Sequence, residues 1–218
     1  MRKLIQGIVD FRKGLTQERR DLFAQLALGQ KPDVLFIGCS DSRVVPNLFA
    51  STDPGDLFVV RNIGNLIPPQ PPPARESSVS AALEFAVFSL HVSDIIVCGH
   101  SECGAMQALV QGIETLSCPH LKSWLKYGEE ALHQVQHGVT IDPTLSLHNQ
   151  VSQVNVLEQV KRISSYPEVR ERMKKNQLRV HGWWFDIGKA DVYSYEPSLN
   201  QFVLIDETEA QRILKRLL

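Results

Sequence analysis

The stretch 76–99, ESSVSAALEFAVFSLHVSDIIVCG, decides the fold class. Its first part, 76–90, puts Val79, Leu83, Ala86, Val87 and Leu90 on one face at helical spacing. Its last part, Asp94-Ile95-Ile96-Val97-Cys98-Gly99, is a continuous apolar run of strand length and reads as a strand buried on both faces. Upstream, Asp33-Val34-Leu35-Phe36-Ile37-Gly38 is a run of the same kind, and the turn Asp53-Pro54-Gly55-Asp56 leads into Leu57-Phe58-Val59-Val60-Arg61. A helix that carries the chain from one such strand to the next returns it in the same direction, so the strands pair in parallel. The expected class is α/β, a mostly parallel β-sheet flanked by helices.

Outward from this unit, Leu4, Ile5, Ile8 and Val9, then Leu15, Leu22, Phe23 and Leu26, fall at helical spacing and predict two amphipathic helices. They form an N-terminal helical arm over 1–30, able to pack on the body or on a partner subunit. The α/β core is placed at 31–206 and a C-terminal helix at 207–218. Helices are expected at 104–111, 120–136 and 145–164, the last with Leu147, Val151, Val154 and Leu157 inward. Strands at 178–184, 191–195 and 201–205 close the sheet. Pro68-Pro69-Gln70-Pro71-Pro72-Pro73 suits an extended surface connector. Because strands of one sheet flank it, 1–218 is read as a single domain.

With 218 residues and 43% hydrophobic content the chain is able to bury a substantial core. Its 23 Lys+Arg against 24 Asp+Glu offer no electrostatic reason for nucleic acid or an anionic membrane as partner, and a small substrate suits this balance better. Charge at Arg2, Lys3 and Asp10 interrupts any early secretory stretch, and no segment approaches about 18 uncharged apolar residues. The expected compartment is the cytoplasm, where Cys39, Cys98, Cys103 and Cys118 are thiols for metal binding or core packing.

Three of the chemistry-bearing residues sit just past predicted strands: Cys39 after one, His100 and Cys103 after another. Ligands gather at the carboxyl ends of strands in an open parallel sheet. Two thiolates and one imidazole there make a zinc site with one coordination position free, which separates a catalytic zinc from a sealed structural one. Two thiolates cancel the ion's charge, so acidifying a bound water needs help from neighbouring groups. Cys39-Ser40-Asp41-Ser42-Arg43 supplies it: Asp41 is placed to accept a hydrogen bond from that water, and Arg43 to hold Asp41 ionised in a forked pair. Cys98 lies within its apolar strand and reads as core. Cys118-Pro119-His120 lacks companion ligands and reads as loop. His91, His133, His137 and His148 read as solvated helix surfaces or ends, and Trp183 and Trp184 as sheet packing.

Cys39-Ser-Asp41-Ser-Arg43 together with Gly99-His100-Ser-Glu-Cys103-Gly104 resembles the β-class carbonic anhydrases, over about residues 5–203. The resemblance implies one Zn²⁺ per chain held by Cys39, His100 and Cys103, and hydration of CO2 to bicarbonate by zinc-bound hydroxide. Asp41 would orient the nucleophile; were Arg43 to release it, Asp41 would ligate the metal and close the site. The match is to the open-site, plant-like branch. Gln30 matches its substrate-binding glutamine, Phe58 a pocket aromatic, Ile63 an aliphatic wall and Gly104 a backbone contact. Phe85 stands where that branch usually carries Tyr, so the ring is kept and the hydroxyl lost. The closed-site branch has a Trp and a Tyr where this chain has Phe36 and Phe185; Arg61 matches a position shared by both. The resemblance further implies a homodimer or homotetramer, with Gln30 and Phe85 reaching a neighbour's cleft.

Two other readings compete. One is a related zinc hydrolase acting on CS2 or COS; the other is a non-catalytic zinc module, redox-sensing through Cys98 and Cys103. A fourth sulfur or nitrogen ligand would favour the module.

Overall fold

A computed structural model describes residues 1–69 and 78–217. Six strands, β1 (Val34–Cys39), β2 (Leu57–Asn62), β3 (Asp94–His100), β4 (Arg179–Asp186), β5 (Asp191–Glu196) and β6 (Gln201–Leu204), form one sheet in the order β2-β1-β3-β4-β5-β6. The first four pair in parallel, and β4-β5-β6 is antiparallel. The helices are α1 (Arg2–Gly14), α2 (Gln17–Leu26), α3 (Pro46–Phe49), α4 (Ser78–Glu84), α5 (Gly104–Gln111), α6 (Pro119–Leu125), α7 (Glu129–Gln136), α8 (Leu147–Ser164), α9 (Pro167–Lys174) and α10 (Glu207–Leu217).

The apolar runs behave as expected of strands without a wet face. Leu35, Ile37, Ile95 and Val97 enter one cluster with Val79, Leu83 and Val87 of the crossover helix, while Phe36, Ile96 and Cys98 enter another on the opposite face. Strand β1 has β2 on one side and β3 on the other, so the chain's direction of travel across the sheet reverses at β1. A crevice opens at such a point beyond the strand ends, and Cys39 and His100 are the last residues of these two neighbours.

Gly99 fixes how closely α8 approaches β3: a Cβ there would lie 2.6 Å from Val156 Cγ2 and 3.3 Å from the Ser152 carbonyl oxygen. Helix α8 is accordingly buried around much of its circumference, including the polar Asn149, Ser152, Gln153, Asn155 and Gln159. That departs from the stripe expected for it: Val151 and Val154 are buried, but Leu147 at the first turn is exposed.

The helix expected over 120–136 is two helices, α6 and α7, separated by a short tighter turn at Lys126–Gly128. Gly128 packs so closely on Leu109 that a Cβ would sit 2.7 Å from its Cδ1, and helix–helix contact interrupts the run. Pro119, expected in loop, opens α6 one residue ahead of the expected start at His120, in the first turn where its missing N–H costs nothing. The short helices α3 and α9, also opened by prolines, have no counterpart in the expected elements. Gln70–Pro73 of the expected connector and residues 76–77 of the expected helix lie outside the described residues. The rest of that helix is α4, passing into a π turn at Phe85–Ser89 in which the Leu90 N–H reaches the Phe85 carbonyl at 3.0 Å.

Helices α1 and α2 bury no residue. Leu4, Ile5, Ile8 and Phe11 are all more than half exposed. No helix among the described residues is long and apolar enough to cross a membrane.

Candidate metal centre

The ligand atoms of Cys39, His100 and Cys103 lie within 4.8 Å of one another, and all three residues are buried. Bonds of about 2.0 to 2.3 Å to a shared ion bridge such a span after slight closing. Strand β1 delivers Cys39 and strand β3 delivers His100. Cys103 arrives through the turn His100-Ser101-Glu102-Cys103, made tight by Glu102 at φ 54°, and stands immediately before α5.

The imidazole is oriented before any ion arrives. His100 Nδ1 donates to the Ser101 carbonyl at 2.8 Å, which leaves Nε2 as the lone-pair nitrogen. Nε2 is buried and has no hydrogen-bond partner among the described residues, a costly arrangement for a polar atom unless something else satisfies it. The Cys39 sulfur accepts the Gly64 N–H at 3.3 Å. Gly64 turns at φ 77°, and Ala105 and Met106 approach to 3.0 and 3.1 Å of where a Cβ would stand, so glycine is what lets this donor face the thiolate.

The two thiols share one easy ionisation. The neighbouring Cys103 thiol, acting as a hydrogen-bond donor, lowers the pKa of Cys39 against the opposing effect of burial. The same bond, with burial adding to it, pushes Cys103 up. A dication among them is what would let both ionise. Two sulfurs, one of them readily a thiolate, and an orphaned imidazole nitrogen fit a soft or borderline divalent metal. Cys98 is no fourth ligand: it is fully buried in the cluster on the other face, where its thiol donates to the Gly99 carbonyl at 3.4 Å and burial raises its pKa.

Beside these three residues, Arg43 grips Asp41 as the motif predicts. Its Nε donates to Oδ1 at 2.9 Å and its Nη2 to Oδ2 at 2.7 Å, while the Arg43 backbone N–H donates to Oδ1 at 3.0 Å. The Arg43 side chain is thereby the main reason that Asp41 is held well below the usual carboxylate range. The Asp41 side chain is 16% exposed and that of Arg43 is 47% exposed, so the pair stands at the rim with its carboxylate turned inward.

The expected pocket residues are distributed unevenly. Phe58 and Phe85 meet with ring centroids 5.7 Å apart, and the π turn is what presents Phe85 there. Phe85 and Ile63 are nonetheless 45% and 44% exposed. Gly104 opens α5 with empty space where a Cβ would project. Gln30 is exposed between α2 and β1.

Several supporting residues carry no motif. Arg61, noted only as a shared family position, donates Nε to the Cys39 carbonyl at 3.0 Å and Nη2 to the Asp41 carbonyl at 2.6 Å. Ser152 donates to the His100 carbonyl at 2.8 Å and accepts from the Trp184 indole at 3.1 Å, which gives that tryptophan a role beyond sheet packing. His148, expected as a solvated helix end, lies 3.1 Å from the Glu102 carboxylate. None of these bonds has a periodicity or spacing that would announce it.

The chain matches the family model described as carbonic anhydrase over residues 34–192. It is 40% identical over 205 residues to a carbonic anhydrase of Synechocystis sp., an alignment covering 93% of this chain and 74% of that protein. It is 37% identical to a carbonic anhydrase of Pseudomonas aeruginosa, covering 95% and 93%. Among solved structures, the β-carbonic anhydrase CcaA superposes with a TM-score of 0.86 at 40% identity, covering 94% of this chain and 98% of that one. One of two β-carbonic anhydrases from Sordaria macrospora, described as tetrameric, superposes at 0.78 with 28% identity, covering 88% and 95%.

Proposed function

This chain belongs to the β-carbonic anhydrase family, whose reaction is the zinc-dependent reversible hydration of CO2 to bicarbonate, and from that premise we propose that Cys39, His100 and Cys103 hold one Zn²⁺ and that Asp41 and Arg43 carry the chemistry beside it. When bound, the ion supplies Lewis acidity, making water a competent nucleophile near neutral pH. The observation that carries the reading is the fork of Arg43 on both oxygens of Asp41, set against a cluster of three ligands rather than four.

Asp41 acts as an acceptor. Its depressed pKa keeps it an anion throughout the working range, so a nucleophile that has a proton to donate is held and aimed, whereas an anion without one is repelled. Arg43 keeps that carboxylate from turning onto the ion, and Arg61 fixes the backbone of both Cys39 and Asp41. CO2 is apolar, and Phe58, Phe85 and Ile63 offer it an apolar wall; Gly104, which has no Cβ, leaves room beside it. Gln30 belongs to the same pocket as a contribution from a neighbouring subunit.

A homodimer or homotetramer fits the exposed apolar residues of α1 and the half-exposed Phe85 and Ile63, which a second copy would cover. A cytoplasmic location fits the four free cysteines, two of which are needed as thiolates. The direct test is stopped-flow CO2 hydration from about pH 6.5 to about pH 9 on metal-quantified protein, beside Asp41→Asn. Rates that rise with pH and fall sharply in the variant at equal zinc content are expected; equal activity in both would remove Asp41 from the mechanism.

A further inference from the structure

Arg43 has a second anchor besides Asp41. Its Nη2 also donates to the Glu102 carbonyl at 2.9 Å, so the guanidinium is stretched between the carboxylate it restrains and the turn joining two metal ligands. The arginine is nearly half exposed. Of its three side-chain bonds, the one to that carbonyl alone ties it to a backbone outside the Cys39–Arg43 motif.

Glu102 is a non-glycine residue held at φ 54°, in the left-handed region. A conformation of this kind persists when the surroundings over-determine it, and it collects at sites where strain serves function. Here Asn149 does most of the determining. Its Oδ1 accepts the Glu102 N–H at 2.8 Å and its Nδ2 donates to Glu102 Oε1 at 3.0 Å, so one amide grips both the backbone and the side chain of the same residue. His148 and Gln107 hold the other carboxylate oxygen at 3.1 and 3.4 Å. Asn149 is itself only 8% exposed and stands in the first turn of α8, the helix wedged against β3 at Gly99. Asparagine has no propensity reason to occupy a buried helical position, and both polar atoms of this one are spent on Glu102.

We propose that Asn149 is a positioning residue for the reaction: by clamping Glu102 it fixes the carbonyl that anchors Arg43, and so keeps Arg43 on Asp41 and the fourth coordination position free. The proposal rests on the role given to Arg43 and Asp41 above. It adds a chain of named contacts, Asn149 to Glu102 to Arg43 to Asp41, through which the rigid α8–β3 packing reaches the rim of the site.

The test follows the Arg43 Nε–H by proton–nitrogen NMR, assigned through its loss in Arg43→Lys, in Asn149→Ala and Asn149→Asp. The aspartate variant keeps the volume and the acceptor but sets a carboxylate against that of Glu102. Exchange of the Arg43 Nε–H with water is expected to speed up about tenfold or more in both variants. The Arg179 Nε–H, bonded to Asp94 at 2.8 Å, serves as the internal control and should not change. CO2 hydration should fall in kcat/KM at unchanged zinc per chain. Unaltered exchange at Arg43, or equal acceleration at Arg43 and Arg179, would overturn the clamp, the second by showing general loosening. Should the unmutated protein fail to hydrate CO2 while the selective acceleration remains, the catalytic reading falls and the clamp stands.

Discussion

Replacing Arg43 with lysine separates charge from geometry at the residue pair on which the account turns. Arginine makes three side-chain bonds here: Nε to Asp41 Oδ1 at 2.9 Å, Nη2 to Asp41 Oδ2 at 2.7 Å and Nη2 to the Glu102 carbonyl at 2.9 Å. A lysine ammonium keeps the charge but is a single point on a flexible stem, unable to span both carboxylate oxygens and the carbonyl at once. Two of the three bonds are lost. Hydrogen bonds to charged groups contribute about 1.5 to 3 kcal/mol each when well buried. With the Arg43 side chain 47% exposed, solvent screening reduces that to roughly 0.5 to 1 kcal/mol apiece, or about 1 to 2 kcal/mol for the pair. Read as lost orientation of Asp41 in the transition state, this corresponds to a fall of about 5- to 30-fold in kcat/KM. Zinc per chain should stay constant, because Arg43 touches none of the ligand atoms. Stopped-flow CO2 hydration with metal analysis on the same samples reads both quantities. Wild-type activity in Arg43→Lys would show that charge alone suffices; a loss of activity that tracks loss of zinc would show that the pair supports the ligands instead.

Two further perturbations probe the frame that carries the site. Gly99→Ala would drive a methyl to within 2.6 Å of Val156 Cγ2 and is expected to cost about 1 to 3 kcal/mol by forcing α8 off β3; an unchanged urea midpoint would refute the close-approach argument. Asp94, at the opposite end of β3, is partly desolvated, yet bonds from His181, Arg179 and Ser93 hold it far below its ordinary value of 3.8. Because the folded-state pKa is the lower one, its contribution is complete above about pH 4 and is lost as the pH falls below that value, where the unfolded chain takes up the proton first. Asp94→Asn should therefore flatten the acid limb of the stability–pH curve between about pH 4 and pH 2, and a curve parallel to that of the parent would contradict the assignment.

What was legible in the chain had a local physical signature. The run from Val34 to Cys39 and that from Asp94 to His100 declared themselves as strands because a strand buried on both faces needs unbroken apolar residues, and the site motifs are short enough to be read without a fold. The ends of β1 and β3 then bring Cys39 and His100 together, as the strand-end argument requires. What stayed hidden depends on contacts between distant segments. The interruption at Gly128 arises from its contact with Leu109, and the burial of Gln159 and Asn155 from polar groups elsewhere in the chain that only folding brings to them. The grip of Asn149 on Glu102 joins residues 47 apart in sequence through an amide that looks like any other surface asparagine. The family resemblance points to Phe85, but the π turn that aims it at Phe58 leaves no mark in an apolar helical face.

The proposed reaction depends on a divalent ion held by two sulfurs and one imidazole, with solvent at the remaining corner. Zinc X-ray absorption on freshly purified, metal-quantified protein examines it directly. Close to one zinc per chain is expected, with a shell of two sulfurs at about 2.3 Å and two lighter atoms at about 2.0 to 2.1 Å. A third sulfur in that shell, or protein that carries no metal, would contradict it.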